Sequence, residues 1–339
     1  MVVKTKNNLI HFFLYRITMI NSNLILGGNL FGYSISRDET LQLLDKAFEL
    51  GNLEIDTAGV YSAGASETII GDWTSSRGVN GLTRISTKLE IRPENVLTNS
   101  ENDFEFQFEA SLSRLNCQSL DSVLLHHSTE NERTLESFLE FVKNKLDTGA
   151  IKYWGICNIS PGDFRILLKA MISASFRTVI IQNYCNWAKR KSNYWQTFFE
   201  LAHEAQVDLK AVSHGVYGRG TLLTRNLNEK SSQVFGRPRA SLNNIVLQER
   251  EDLSIQNMLR VIQAKAPNEG NLLERFALSF ISNQGSKAVV GVRSIDQLLS
   301  ATASLRLPIS LEITESILTA IHTELEDLHL ALGDPDMGI

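Results

Sequence analysis

Cysteine is scarce in this chain, with three in 339 residues. Cys117, Cys157 and Cys185 stand far apart and share no paired thiolate spacing, so they require no disulfide framework and form no zinc knuckle. Their odd number suits a reducing cytosol, and a cytoplasmic location is expected. Long apolar runs are also missing: no stretch approaches the roughly 20 residues of a membrane-spanning helix, so no membrane partner is expected. Residues 9–17, preceded by Lys4 and Lys6, have the outline of a signal peptide. His11 and Arg16 interrupt it, and no small-residue cleavage site follows. Lysine and arginine form no basic stripe interleaved with aromatics, which argues against a nucleic-acid partner. No GxGxxG stands near the N-terminus, so a doubly wound dinucleotide fold is disfavoured.

The remaining composition, 43% hydrophobic with a formal charge of -5, is that of a soluble globular protein with room for a large core. From residue 24 onward, short strand-like runs alternate with helix-like ones. Residues 24–30, 53–55, 82–87 and 123–125 read as strands, and 36–50, 67–73, 104–115 and 135–146 as the helices between and after them. The rhythm repeats with strands at 153–156, 178–181, 207–212 and 288–292. Their helices fall within 163–174 and 194–205, then within 241–266 with another at 272–281, and at 295–303. Eight such units with right-handed crossovers favour a (β/α)8 TIM barrel, a closed parallel barrel, over an open sheet. The expected organisation is a divergent extension at 1–23, the barrel at 24–303, and a C-terminal loop and helix at 304–339 that pack on it. Met19 precedes the patterned region, which makes residues 1–18 a loosely attached arm or an upstream translated extension. The long stretch 218–243 is a candidate for ligand contacts.

Chemistry-bearing residues recur at the ends of these strands. Asp56 and Tyr61 lie in EIDTAGVY, Lys88 closes RISTK, and His126 follows SVLL. An acid, a tyrosine, a lysine and a histidine at successive strand ends point to one pocket that acts on a carbonyl. Tyrosine donates the proton, lysine lowers the cost of phenolate, and the acid keeps the lysine charged. For this Tyr61 is expected to have a pKa well below the unperturbed value of about 10. Helix or turn capping is the plain alternative for Asp56, a core ring for Tyr61, and a snorkelling surface cation for Lys88. His126, preferred to His127 because it is nearer the strand end, is expected to bond the substrate oxygen. No metal is expected, since no second and third ligands stand beside it in the sequence. Asn158 ends YWGICN and Gln182 lies in VIIQN, so both can offer amide groups to a carboxamide. Arg293, beside Ser294 and a helix start, suits a phosphate, and Gly291 suits a close backbone approach.

Taken together, these segments resemble the aldo-keto reductase family over nearly all of residues 24–303. DTAGVYSAGASETIIG, STK, DSVLLHH, GICN, IIQN, GRGTLL and VVGVRSIDQL occur in that family's order. The resemblance implies a TIM barrel that binds NADPH/NADP+, with NADH as the second candidate, and a tetrad of Asp56, Tyr61, Lys88 and His126. It implies nicotinamide contacts from Asn158 and Gln182, and places Arg293 and Ser294 near the 2'-phosphate. Alignment on GRG sets His214, Gly215, Gly218, Arg219 and Gly220 along the cofactor, with His214 where the family commonly has an aromatic ring. Ser300 and Ala301 replace the usual adenine contacts, and the N-terminal hairpin is unrecognisable in residues 1–23.

The implied activity is hydride transfer between NADP(H) and an aldehyde or ketone, with a hydroxylated or sugar-like compound as the expected small-molecule substrate. The polar segments at 62–66, 186–194 and 219–228, with Trp187, Tyr194 and Trp195, are the expected mouth of such a site. Oxidation of an aldose, and a non-catalytic dinucleotide-binding regulatory or scaffold subunit, are the alternatives. Monomer and homo-oligomer are both open.

Overall fold

The structure, a computed structural model, describes residues 24–91, 100–188, 193–223, 260–262, 264 and 271–332. Residues 1–23, most of the 218–243 connection and most of the helical segment expected within 241–266 lie outside the described residues.

Eight parallel strands close into a barrel in sequence order. They are β1 (Leu24–Gly27), β2 (Glu54–Asp56), β3 (Arg84–Leu89), β4 (Leu120–Leu125), β5 (Ile151–Cys157), β6 (Thr178–Tyr184), β7 (Asp208–His214) and β8 (Lys287–Val290). Closure is made by β8 against β1, with Leu24 opposite Ala288 and Leu26 opposite Val290. Strands covered by helices on one face and by the barrel interior on the other must be apolar on both. All four residues of β1 are accordingly buried.

Helices alternate with the strands: α1 (Arg37–Glu49), α2 (Ala65–Arg77), α3 (Ser100–Leu115), α4 (Glu132–Asp147), α5 (Pro161–Ser173), α6 (Tyr194–Glu204), α7 (Leu272–Asn283) and α8 (Ile295–Arg306). Ser36 and Glu39 form a reciprocal capping box at the start of α1, and Ser160 caps α5 ahead of Pro161. Helix α2 is longer than the apolar pattern predicts. Left-handed glycines at 64 and 78 bracket it, and its last turns carry polar residues that hide the period. The outer layer is sealed by aromatics: Trp154 of β5 packs 4.9 Å from Phe176 and 6.2 Å from Phe138 of α4.

A last helix, α9 (Leu311–Leu332), lies where the sequence places it. Its Ile317, Leu318 and Ile321 join the core, and Asn283 of α7 donates to Thr314 at 3.2 Å. No described helix is long and apolar enough to cross a membrane.

Candidate active site

Asp56 closes β2, Lys88 is the penultimate residue of β3, and His126 stands one residue beyond β4. All three reach the end of the barrel at which β-strands of such folds present their working groups. Tyr61 opens a short 3-10 turn, Tyr61–Gly64, that follows β2. Here Ser62 and Ala63 both adopt left-handed backbone, with φ of 50° and 53°. Such conformations cost about 1–3 kcal/mol each and persist where surroundings impose them. Ser62 Oγ is fastened to the Phe31 carbonyl at 2.8 Å, and Tyr61 N donates to the Ala58 carbonyl at 3.0 Å.

The rest of the DTAGVYSAGASE segment is a scaffold for this turn. Ser66 Oγ donates to the Gly28 carbonyl at 2.8 Å and receives Thr57 Oγ1 at 2.8 Å, which joins the loops after β1 and β2. Glu67 is fully buried; its carboxylate takes Thr87 Oγ1 at 2.5 Å and Arg114 Nε at 2.6 Å, tying α2 and α3 to the strand that carries Lys88.

Lys88 is the hub. Its Nζ donates to Asp56 Oδ2 at 2.6 Å, the Thr57 carbonyl at 2.9 Å and the Tyr61 hydroxyl at 3.1 Å. Three ammonium protons thus meet three acceptors. The Lys88 and Asp56 side chains are 1% and 5% exposed, so neither charge has water to turn to. Burial, the largest single influence, would lower the lysine pKa; the charge and hydrogen bond of Asp56, with Tyr61 and Cys157, together overcome it, and Lys88 stays charged.

Tyr61 departs from expectation. Burial raises its pKa, Lys88 opposes the shift, Asp56 reinforces it, and the net direction is upward. A depressed resting pKa is therefore not found. Desolvation in the closed pocket outweighs the lysine, whose charge is already answered by Asp56. The phenol keeps its proton at neutral pH.

Asp56 also accepts from Gln182 Nε2 at 2.8 Å, and Gln182 Oε1 receives the Cys157 thiol at 3.5 Å. Burial pushes the Cys157 pKa upward, so it remains a thiol. Asn158, in left-handed backbone at φ 56°, donates its Nδ2 to the His126 carbonyl at 3.1 Å. Its Oδ1 lies 2.9 Å from His214 Nε2. Burial, followed by the charge of Lys88, lowers the His214 pKa to about 4. His214 is neutral at pH 7, and with an amide oxygen facing Nε2 it carries its proton there. Gly215 beside it has φ 68°, and a Cβ would stand 2.3 Å from the Tyr184 ring, so no other residue fits.

Further round the mouth, Gly218 and Gly220 lie in the turn Gly218–Leu223 with φ of 54° and 94°. The Arg219 side chain lies outside the described residues. A Cβ on Gly291 would be 3.1 Å from Asn29 Oδ1, a tight approach between the loops after β8 and β1. Arg293 is exposed, and Ser294 caps α8 by accepting from Gln297 N at 3.3 Å. Ser300 is turned to Glu274, a carboxyl raised by burial, and Ala301 is in the core.

Two expectations need correction. Trp187 and Trp195 do not line the mouth: Trp187 packs edge-on to Phe276, and Trp195 is fully buried with Nε1 donating to Ser213 at 2.9 Å. Tyr194 gives its hydroxyl oxygen to Asn183 Nδ2 at 2.9 Å. Trp195 at the start of α6 and Trp187 ahead of that helix are both buried, and Tyr194 packs on the core, so stacking of a sugar on these rings is withdrawn. Nor is His126 without neighbours. Glu90, one residue past β3, meets its Nδ1, and His127 stacks on its ring at 5.1 Å and 15°. Potential ligand atoms on all three lie within 4.8 Å of one another. Near-parallel rings, however, aim their in-plane lone pairs side by side, which does not suit a shared ion. Glu90 was legible from the pleat: residues 88 and 90 share a face.

The comparisons agree with this geometry. A family model described as the aldo/keto reductase family matches residues 23–320. The chain is 25% identical over 201 residues to the uncharacterized oxidoreductase YqkF of Bacillus subtilis, an alignment that spans 58% of this chain and 62% of that protein. It is 22% identical over 313 residues to the aldo-keto reductase AFTS1 of Alternaria alternata, covering 83% of each. Among solved structures, an aldo/keto reductase from Klebsiella pneumoniae, in complex with NADP and acetate, superposes with a TM-score of 0.64 at 18% identity, over 88% of this chain and 91% of that one. With the family model spanning the whole barrel and the tetrad assembled at its mouth, the chain belongs to the aldo-keto reductase family.

Proposed function

We propose that the protein is an NADP(H)-dependent oxidoreductase that interconverts an aldehyde or ketone with its alcohol, and that the barrel at 24–303 is its catalytic unit. One observation carries the reading: a single buried ammonium, Lys88, is bonded at once to the Tyr61 hydroxyl and the Asp56 carboxylate. The residues around it fit a nicotinamide dinucleotide. Asn158 carries a carboxamide just beyond β5, whereas the expected contact from Gln182 is not available, since its buried amide is already engaged by Asp56 and the Cys157 thiol. Arg293 stands beside the start of α8, where a phosphate meets a guanidinium and helix N-terminal amides. The NADP in the Klebsiella pneumoniae relative supports the choice of cofactor.

NADPH, when bound, supplies the hydride. Tyr61 gives its proton to the substrate oxygen, and Lys88 stabilises the phenolate left behind. Asp56 keeps Lys88 charged, while His126 orients the oxygen. In the oxidative direction the Tyr61 phenolate takes the alcohol proton back. Holding the partners in line contributes several kcal/mol more. Glu90 and the exposed His127 at the mouth favour a small polar substrate.

The reading is tested by following absorbance at 340 nm with NADPH and a panel of polyhydroxylated carbonyls and apolar aldehydes, and with NADP+ and aldoses. Oxidation of NADPH by polar carbonyls is the expected result. Tight NADPH binding with no turnover of any member would instead identify a binding module. Cofactor choice has its own test. Arg293→Ala is expected to weaken NADPH binding by about 10- to 100-fold, the worth of one charge-assisted bond, and NADH by less than about threefold. Equal losses in a fluorescence titration would give Arg293 a structural role.

A further inference from the structure

Glu90 belongs to none of the segments that carry the family resemblance, yet its carboxylate meets Nδ1 of His126. Its position is held from behind. Glu90 N donates to Gln107 Oε1 at 2.9 Å, Gln107 Nε2 donates back to the Glu90 carbonyl at 3.0 Å, and the same Nε2 is braced by Asp103 at 2.6 Å. His126 is held equally firmly: its backbone N donates to Leu89 at 2.9 Å, and its ring stands edge-on to Tyr61 at 5.8 Å. Two rigid supports therefore press an acid and an imidazole together beside the proton donor.

The charges around the pair give that contact its meaning. The titratable neighbours are Lys88, Asp56, Tyr61, His127, Cys157 and His214. Lys88 and Asp56 cancel each other, Tyr61 and Cys157 keep their protons, and His214 is neutral at pH 7. Glu90 is held below the usual carboxylate range, first by the hydrogen bond to His126, with burial opposing and the charges of His126, His127 and Lys88 assisting. Its ion-pair partner is the His126 imidazole.

A carboxylate can only accept, so Nδ1 of His126 must carry a proton. If the ring is neutral, Nε2 is then a bare acceptor and cannot donate to a carbonyl oxygen. If the ring is an imidazolium, Nε2 donates, and Glu90 is its counter-charge. We propose that Glu90 is a positioning residue for turnover: it fixes His126 as an Nδ1 donor, so that Nε2 faces the substrate oxygen and serves carbonyl reduction as an imidazolium. In the oxidative direction the Tyr61 phenolate takes the single hydroxyl proton of the alcohol, and by microscopic reversibility the same Nδ1-anchored ring stands beside the oxygen. This rests on the reductase reading.

The test compares the parent protein with Glu90→Gln and Glu90→Asp, by imidazole 15N NMR and by pH profiles of kcat/KM. In the parent, neutral His126 is expected as the Nδ1–H tautomer, and Glu90→Gln should relax that bias. The pH above which reduction declines should fall by about one unit in Glu90→Gln, a tenfold loss on the alkaline limb, with kcat affected more than KM. Glu90→Asp, which retains the carboxylate, should recover part of it. An Nε2–H tautomer in the parent, or an alkaline limb unmoved in Glu90→Gln, overturns the assignment. A parent that reduces no carbonyl yet shows the Nδ1–H tautomer overturns the reductase reading and, with it, the use of the pair in turnover.

Discussion

Tyr61→Phe is expected to lower kcat/KM for carbonyl reduction by about a thousandfold, roughly 4 kcal/mol, while the dissociation constant for NADPH moves less than about twofold. The phenyl ring fills the same space and keeps its edge-on contact with His126. Only the hydroxyl is lost. With it goes the proton that the substrate oxygen needs, and one of the three acceptors of Lys88. The remaining two, Asp56 and the Thr57 carbonyl, keep the ammonium satisfied, so the fold should survive with a small change in denaturation midpoint. Stopped-flow reduction and equilibrium cofactor titration separate the two effects. Parent-level turnover in the variant would remove Tyr61 from the acid role.

Asp56→Ala is expected to act on stability first, destabilising the fold by about 3–5 kcal/mol, because a buried charge loses its partner. Its carboxylate meets Lys88 Nζ with one oxygen and Gln182 Nε2 with the other, so two buried donors are orphaned by one substitution. The loss should be measured by urea denaturation near pH 7. Lys88 has a folded pKa raised above the ordinary lysine value, so its stabilising contribution is fully present below that value and declines only as pH rises through the folded pKa. At neutral pH the whole effect is therefore visible. Asp56→Asn keeps the shape and should lose less. An Asp56→Ala protein as stable as the parent would show that the lysine shed its proton or found water.

Much of this is legible in the sequence. Asp56, Lys88 and His126 stand out because each is polar where an apolar strand ends, and a barrel built from parallel strands must bring like ends together. Glu90 obeys the same pleat but lies beyond the apolar run that marks the strand in the sequence. Trp187 and Trp195 lie in a polar stretch that suggests a mouth, but both rings are buried, Trp195 on α6 and Trp187 ahead of it. The Tyr61 pKa was misjudged because a lysine nearby in space counts for less when an acid already answers its charge.

The sequence by itself determined the alternation of strands and helices, and hence the barrel, and the identity of the four groups at its mouth. Period, capping and chain order are local properties, carried by residues a few positions apart. Tertiary structure alone decided which protons sit where. Lys88 bridges Asp56 and Tyr61, Gln182 is turned to Asp56, and Glu90 claims Nδ1 of His126, contacts between residues 32, 27, 126 and 36 positions apart in the chain. A hydrogen bond depends on tenths of an ångström and on what water is excluded, and a pKa on the sum of every charge nearby. Those quantities exist only once the chain has closed on itself.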